Sequence, residues 1–544
     1  METDRDILFW LKGIGTKFDF KLKLTYKNIS LWWFCEPTLT RLVGNLIRNK
    51  KYESSQNMFI KYVTKLPRFY YFYFLARTLV RFVLGKLLTS KPQGDKSACK
   101  ILAVSYIAFW RDYPVAGRGD KHIDRDAILG NVITTLRNRN FNVVALDQDS
   151  SLLTDFRTRI KKRQFGKPVE SYLTLGAVKN AIKAGRRSEK EWDRLKCNNE
   201  FVDSLCYSGI PLFALLKDDL AKTFCRNTFI ATLSIELVRR AIKTEEPDLL
   251  LITFEDGTLG KAAVFAGKLE GIPTLAIQHG NISPYHIGYL HTKEEVSDEI
   301  APENFPLPDK TAVYGPWVKR VLIKHGYYPA YSVVVTGQAK YDMLARADES
   351  FRRENFCKRH GLDPDKKIVL VCTQPSIAEK RIIFLKSILR VPKEFPKVQI
   401  VIKPHPQEKR NWHKGVVKEQ GAEALVLPRS SNTYEAIYAC DAMLAFVSTT
   451  ITEALILNKF VVVVNLTGRP DLMPYVESGA ALGAHREEDI IPAIRDVLYN
   501  EEVRKRLTEV RKEFIYQHTY IQDGKASERV VDLITQMAEE SRRR

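Results

Sequence analysis

The chain has 544 residues, enough for two or three domains with sizeable cores. Its composition, with 45% hydrophobic and 27% charged residues, is typical of a globular protein. This excludes a fibrous or low-complexity protein. The 85 lysine and arginine residues outnumber the 64 acidic ones, and the net charge of +21 predicts a polyanionic neighbour, either nucleic acid or an anionic membrane.

Residues 1–96 form a basic, aromatic N-terminal segment, with 18 lysine or arginine and 7 acidic residues and with aromatic runs at 31–34 and 69–74. A spanning helix needs about 20 nearly uninterrupted apolar residues. The stretch 69–88 is interrupted by three basic residues: Arg77, Arg81 and Lys86. The pattern therefore predicts a helix lying in a membrane interface. The alternative is a helix packed on the body of the protein with its basic face in water.

Residues 97–338 are predicted to form a first Rossmann-like domain, which would bind the acceptor. Alternating strands and helices of this length indicate a parallel sheet covered on both faces. A mostly helical insertion is expected at about 150–245. The predicted strands are 101–106, 141–146, 248–254, 272–278, 310–314 and 332–336, and the predicted helices are 122–138, 259–269 and 317–325.

Residues 339–518 are predicted to form a second Rossmann-like domain, which would bind a nucleotide-sugar. A charged helix at 340–359 would lead into it, and residues 519–544 would form a C-terminal helix. The predicted strands are 367–372, 398–403, 424–427, 442–447 and 460–465. The expected fold class is α/β, with two doubly wound domains and ligands in the cleft between them. This arrangement resembles the two-Rossmann-domain (GT-B) fold of many glycosyltransferases.

A hydroxyl-rich turn follows the apolar strand 442–447. Ser448, Thr449 and Thr450 stand where a helix is predicted to begin, and a helix N-terminus favours a phosphate group. Glu453 lies in the first helical turn, where its carboxylate is predicted to accept hydroxyls of a ribose. The alternative role of Glu453 is compensation of the helix dipole.

Two further strand ends in the second domain carry candidate donor-binding residues. Lys403 and His405 follow the strand 398–403, and both side chains suit an anionic phosphate. A loop stiffened by two prolines with a solvated histidine is the alternative. Gln374 follows the strand 367–372, at a turn whose backbone N–H groups would face the cleft.

Carboxylates and a histidine end two strands of the first domain. Glu255 and Asp256 follow the strand 248–254, and Gly257 is expected to allow a sharp turn there. One carboxylate desolvated beside another would have a raised pKa, which suits a general base. His279 ends the next strand and is an alternative base. The competing interpretations are an Asp-Gly turn that caps a helix and a structural histidine.

No cofactor and no metal site are predicted. The sequence has no Walker-type phosphate loop, no glycine-rich dinucleotide fingerprint after its first strand and no zinc-spaced cysteine and histidine set. The pair Asp147 and Asp149 lies away from the proposed phosphate site and is interpreted as a solvated turn. Catalysis is therefore expected to use protein cations and helix ends.

Three motifs in order carry a family resemblance: Glu-Asp-Gly at 255–257, His-Pro at 405–406 and Ser-Thr-Thr at 448–450. They resemble the motifs of bacterial sialyl- and polysialyltransferases, in which the first carboxylate is the base and the other two motifs hold the nucleotide phosphate. With Gln278-His-Gly280, the set is also similar to capsule polysaccharide transferases and to CDP-glycerol glycerophosphotransferases. In the latter, histidines matching His279 and His405 are important. The sequence also shows a weaker resemblance to UDP-N-acetylglucosamine 2-epimerases.

The resemblance covers roughly residues 245–535 and implies an inverting, metal-independent glycosyltransferase of hexosyl or sialyl/Kdo type. Its partners would be a nucleotide-sugar donor, a surface-glycan or lipid-linked acceptor and an anionic membrane surface, with no nucleic acid. The expected location is cytoplasmic, peripheral on the inner face of the cell membrane. The alternatives are a CDP-activated polyol-phosphate transferase and a UDP-N-acetylglucosamine 2-epimerase-like enzyme. A non-catalytic nucleic-acid-binding protein is disfavoured because the basic residues match no known module.

Overall fold

The computed structural model describes residues 3–47, 67–88, 99–114, 122–148, 166–297, 299–374, 378–405, 408, 411–429, 431–446, 448–468, 470–471 and 473–543. Some sequence predictions therefore lie outside the described residues. They are parts of the N-terminal segment (48–66 and 89–98), the start of the predicted insertion (149–165), and residues 406 and 447 of two motifs.

A seven-stranded parallel sheet forms the centre of the first domain. Its strands, in chain order, are β1 Lys100–Tyr106, β2 Asn142–Gln148, β3 Lys167–Pro168, β4 Leu249–Thr253, β5 Thr274–Ile277, β6 Lys310–Val313 and β7 Val333–Val335. The spatial order is β7-β6-β5-β4-β1-β2-β3. Strands such as β4 are apolar along their whole length because helices cover both faces of the sheet. The order reverses between β1 and β4, and such switch points hold ligands in this kind of sheet.

A six-stranded parallel sheet forms the centre of the second domain. Its strands are β8 Lys367–Cys372, β9 Val398–Lys403, β10 Ala424–Val426, β11 Ala442–Ala445, β12 Phe460–Val464 and β13 Leu482–Ala484. The spatial order is β10-β9-β8-β11-β12-β13, so the switch point lies between β8 and β11. The expected α/β class with two doubly wound domains is confirmed.

Seventeen helices of six or more residues are described. The first ten are α1 Asp4–Lys17, α2 Trp32–Ile47, α3 Pro67–Leu88, α4 Gly130–Asn138, α5 Leu175–Leu195, α6 Asn199–Ser204, α7 Phe213–Glu245, α8 Thr258–Glu270, α9 Pro316–Gly326 and α10 Arg353–His360. The others are α11 Ala378–Ile388, α12 Trp412–Glu419, α13 Thr433–Ala439, α14 Thr449–Ile456, α15 Ile490–Tyr499, α16 Glu501–Thr519 and α17 Ala526–Arg543. Single turns occur at Phe20–Lys23, Ala347–Ser350 and Val391–Glu394.

Two predicted helices differ from the structure. Residues 122–126 of the predicted helix 122–138 form a strand that pairs with Trp110–Pro114 in an antiparallel hairpin, and only Gly130–Asn138 is helical. The predicted helix 340–359 is broken into a 3-10 segment at Ala339–Arg346, a single turn and α10. In both stretches, neighbouring parts of the fold override the local helical pattern.

The first part of the N-terminal segment packs into the first domain. The aromatic run at 31–34 is buried, with Trp32 and Trp33 each 1% exposed in a core shared with α7 and α9. Lys12 of α1 donates to Glu36 of α2 at 3.2 Å and to Glu295 at 2.7 Å. Helices α1 and α2 are therefore structural parts of this domain, and that aromatic run does not face a membrane.

The last helix, α17, returns from the second domain to the first. Val530, Val531 and Ile534 pack in one hydrophobic cluster with residues of β1 and β4. Arg542 donates to both oxygens of Asp248 at 2.8 and 2.9 Å. The chain thus passes between the domains twice.

Candidate functional site

A strained turn places Glu255 at the switch point of the first sheet. β4 ends at Thr253, and Phe254 adopts a left-handed conformation with φ of 55°. Gly257 has an ordinary φ of −76° and closes the turn, since its N–H donates to the Phe254 carbonyl oxygen at 2.9 Å. A Cβ at Gly257 would lie 2.8 Å from the Tyr106 hydroxyl, so the absence of a side chain allows the turn here, whereas the left-handed conformation falls on Phe254. A Cβ at Gly260 would lie 2.1 Å from the Phe254 carbonyl oxygen, so a side chain there would push α8 away from the turn.

Glu255, Asp256 and His279 come together as the strand order predicts. One possible ligand atom from each lies within 4.8 Å of the other two. Among the described residues, neither Asp256 Oδ1 nor His279 Nδ1 has a hydrogen-bond partner. The Tyr289 hydroxyl lies close enough to interact with the Glu255 carboxyl, but among the described residues neither Glu255 oxygen has a hydrogen-bond partner. The cluster therefore has proton-accepting atoms available for a ligand.

Burial shifts the pKa values of two members of this cluster in opposite directions. Burial, aided by the negative charge of Asp256, raises the pKa of Glu255 to about 8. Burial lowers the pKa of His279 to about 4, so its imidazole is neutral at physiological pH. A general base works best with a pKa near the working pH, and this condition favours Glu255 over His279.

The hydroxyl turn of the second domain begins α14. Ser448 is the N-cap, and its side-chain oxygen accepts from the Thr450 backbone N–H at 3.2 Å and from the Thr450 hydroxyl at 2.8 Å. Thr449 and Thr450 form the first helical residues and are half-buried. The three predicted hydroxyls thus stand at a helix N-terminus, at the carboxyl end of β11 and beside the switch point.

Glu453 is the fifth residue of α14, so the expectation that it lies in the first helical turn is wrong. Its Oε1 accepts from Lys340 Nζ at 2.8 Å, and the side chains of Glu453 and Lys340 are 5% and 11% exposed. No local pattern predicts this ion pair, because Lys340 lies in the segment that joins the domains, far from Glu453 along the chain. A ribose that binds Glu453 would have to share this carboxylate with Lys340.

Lys403 ends β9 and is buried, and burial lowers its pKa. Its ammonium group donates to the Arg429 carbonyl oxygen at 2.8 Å. Gln374 is half-buried and follows β8, next to the end of β9. The two residues are adjacent at the switch-point edge, but the lysine charge is directed at the backbone of the chain.

Glu408 organises this edge and was missed by the sequence analysis. Its carboxylate accepts from the His405 backbone N–H at 2.9 Å and from the Thr373 hydroxyl. It also lies 3.2 Å from His413 Nε2 and 3.3 Å from Arg381. The hydrogen bonds from His413 and Thr373 hold its pKa at about 2 despite the burial. A sequence signal existed, since a glutamate three residues after His405 has capping-box spacing.

Side chains between the domains connect the two groups of candidate residues. The buried phenol of Tyr314 interacts electrostatically with both Glu255 and Glu453, and its pKa is raised, chiefly by burial. Tyr475 of the second domain lies beside Asn281, which follows the strand end at His279, and its hydroxyl lies 2.9 Å from that of Thr452. The carboxyl ends of the two sheets therefore face one another.

No protein-family model and no curated protein matches the chain. Solved structures do match. One is named as a UDP-N-acetylglucosamine 2-epimerase from Listeria monocytogenes, with 12% identity over 82% of this chain and 97% of that chain and a TM-score of 0.50. Another is the S. aureus MnaA–UDP co-structure, with 15% identity over 81% and 96% of the two chains and a TM-score of 0.50. The chain has the GT-B fold. At these identities the likeness concerns the fold alone.

Proposed function

We propose that the protein is a glycosyltransferase that moves a sugar from a nucleotide-activated donor to a surface-glycan or lipid-linked acceptor. The observation that carries the proposal is the buried Glu255 carboxyl, with its pKa raised to about 8, at one switch point of a GT-B fold. The helix N-terminus at Ser448 and the His405 loop flank the other switch point. The first group supplies a base, and the second suits a phosphate.

In the proposed inverting reaction, Glu255 takes the proton from the acceptor hydroxyl as its oxygen bonds to the anomeric carbon. The bond from that carbon to the nucleotide phosphate breaks, and the α14 N-terminus with His405 stabilises the charge that grows on the phosphate. Glu453 and Gln374 would contact the donor beside them. Burial, with the negative charge of Asp256, keeps the pKa of Glu255 raised, and His279 lies in the same cluster.

Thermal stabilisation by CMP, CDP, UDP and GDP tests the donor site. A rise in melting temperature with one nucleotide, lost in His405→Ala, is expected because binding to the folded state alone stabilises it. His360→Ala is the matched control, since His360 ends α10 before β8, at the opposite edge of the sheet. CMP would indicate a sialic acid or Kdo donor, CDP the polyol-phosphate reaction, and UDP or GDP a hexosyl donor. No shift with any of them, in folded protein, would refute a nucleotide-sugar enzyme.

A metal-independent reaction belongs to the same proposal and has its own test. Glu255, Asp256 and His279 lie close enough together to hold a divalent ion. Transfer activity is expected to survive EDTA, because the leaving phosphate faces the helix N-terminus of the other domain. Loss of activity in EDTA that Mn²⁺ or Mg²⁺ restores would assign these three residues to a metal.

A UDP-N-acetylglucosamine 2-epimerase-like reaction is the second candidate. It is favoured by the fold shared with the structure named as a UDP-N-acetylglucosamine 2-epimerase, at 12% identity. Such an enzyme would convert the donor sugar without any acceptor. Proton NMR of UDP-N-acetylglucosamine incubated with the protein alone distinguishes the two, because only the epimerase changes the sugar.

Peripheral attachment to the inner face of the cell membrane completes the proposal. The net charge of +21 supports it, since anionic lipids attract basic proteins. No helix among the described residues is long and apolar enough to cross a membrane.

A further inference from the structure

Helix α3 lies flat along the first domain in a fixed rotation about its axis. Its inner face carries Arg81, which pairs with the buried Glu170 at 2.9 Å. One turn further, a Cβ at Gly85 would come within 1.8 Å of Ser171 Oγ, so only glycine allows this close approach. At the other end, the Tyr71 ring lies 4.7 Å from that of Phe229. These contacts decide which side of α3 faces outward.

The outward side of α3 is a stripe of large apolar side chains. They stand at positions 72, 79, 80, 83 and 87, which fall on one face of a helix with about 3.6 residues per turn. Their exposures are 74% for Phe72, 55% for Leu79, 44% for Val80, 47% for Val83 and 75% for Leu87. Single exposed hydrophobic residues are ordinary, but a continuous stripe of five marks an interaction surface.

The charged residues of α3 are all of one sign. The helix carries four lysine or arginine residues and no acidic residue. Of these, Lys86 is exposed beside the apolar stripe. An apolar stripe on a basic helix matches the interface of an anionic bilayer, where acyl chains lie beneath phosphate groups. A second copy of this chain, related by a two-fold axis, would instead oppose two acid-free basic stretches.

We infer that the outward face of α3 is the membrane-binding surface, with α3 parallel to the bilayer and its apolar stripe among the lipid headgroups and upper acyl chains. The inference rests on the peripheral location in the proposed function and not on its nucleotide chemistry. Because α3 is fixed to the first domain through Arg81 and Gly85, lipid contact would hold the acceptor domain at the membrane.

Vesicle flotation of the full-length protein tests the surface. The probes are vesicles of phosphatidylcholine alone and of phosphatidylcholine with phosphatidylglycerol in equal parts. The wild type is expected to float with the anionic vesicles, less so at high salt, because screening weakens lipid attraction. Failure of the wild type to bind anionic vesicles would overturn the inference.

A triple variant locates the contact within the protein. Removing three exposed apolar side chains of α3 should weaken vesicle binding by at least about tenfold, since each loses its burial in lipid. The variant is Phe72→Ser, Leu79→Ser and Leu87→Ser. The control replaces three exposed apolar residues elsewhere: Leu22→Ser, Leu215→Ser and Ile521→Ser.

The inference is wrong if the α3 variant binds as the wild type does, or if both triple variants lose binding equally. It is also wrong if the wild type is a dimer in light scattering and the α3 variant a monomer, because the stripe would then join two copies. Nucleotide-induced thermal stabilisation is measured on the same samples. Nucleotide binding without vesicle binding refutes the membrane attachment and this inference but leaves the nucleotide chemistry standing, and the reverse result refutes only the proposed chemistry.

Discussion

Replacing Glu255 with glutamine is expected to remove a pH dependence that this carboxyl imposes on stability. The pKa of Glu255 is raised from its ordinary value of 4.5 to about 8 in the folded protein, chiefly by burial. Between these two pH values the folded chain keeps a proton that the unfolded chain has released. The contribution of Glu255 to stability is therefore greatest below about pH 4.5 and falls as the pH rises to about 8.

The size of the effect follows from linkage. Each pH unit in this window costs about 1.4 kcal/mol, so the whole window lowers the free energy of unfolding by about 5 kcal/mol. The amide of Glu255→Gln does not titrate and escapes this loss. The free energy of unfolding of the variant, relative to that of the wild type, should therefore rise steadily from pH 5 to pH 8 and stay constant above pH 8.

Urea unfolding of both proteins between pH 5 and 9, followed by circular dichroism, measures the difference. The exposed Glu303 provides a control, since Glu303→Gln should leave the pH profile of the wild type unchanged. A stability difference between wild type and Glu255→Gln that is flat across this range would refute a raised pKa. Without that raised pKa, the argument for Glu255 as the base fails.

Three other substitutions test the surrounding structure. Glu408→Gln should weaken nucleotide binding about tenfold with a smaller effect on turnover, because a charged hydrogen bond to the His405 loop is worth about 1.5–3 kcal/mol. Calorimetry measures the nucleotide affinity, and steady-state kinetics measures the turnover. Lys340→Met should cost about 3–5 kcal/mol of stability in urea unfolding, because it leaves the Glu453 carboxylate buried without its cation. Gly260→Ala should cost about 1–3 kcal/mol and lower transfer activity more than nucleotide binding, because its methyl group would displace the turn at Glu255.

Each of these substitutions has an outcome that contradicts its reasoning. Unchanged nucleotide affinity in Glu408→Gln would remove that residue from the donor edge. If adding Glu453→Gln to Lys340→Met recovers no stability, the ion pair is not the cause of the loss. For Gly260→Ala, wild-type activity would show that the turn tolerates the extra methyl group.

All strands of the two sheets except the short edge strands β3 and β13 were predictable from the sequence, and the reason is physical. Parallel strands covered on both faces are continuous apolar runs, as in β4, β8 and β12, and few other elements give that pattern. Candidate residues at their carboxyl ends followed from the sheet topology alone. The prediction that Glu255, Asp256 and His279 lie close together required only that β4 and β5 are neighbours in the sheet.

Contacts between distant segments were not predictable in the same way. The pairing of Lys340 with Glu453 joins residues 113 positions apart. The left-handed turn falls on Phe254, whereas local propensity favours Gly257. The composition of the aromatic run at 31–34 is compatible with either a lipid interface or a protein core. Only its packing against α7 shows that it belongs to the core.

The two passages between the domains are joined to each other. Asp342, on the first passage, accepts from the backbone N–H groups of Ala526 and Ser527 at 2.8 and 2.9 Å and so caps α17, which the second passage leads into. Because the two connecting segments are joined in this way, any opening of the cleft must bend both of them together at one hinge. A protein cut after residue 338 would also lose α17 and leave apolar surface on β1 and β4 in water, so the first domain depends on the eighteen residues of α17 for its own fold.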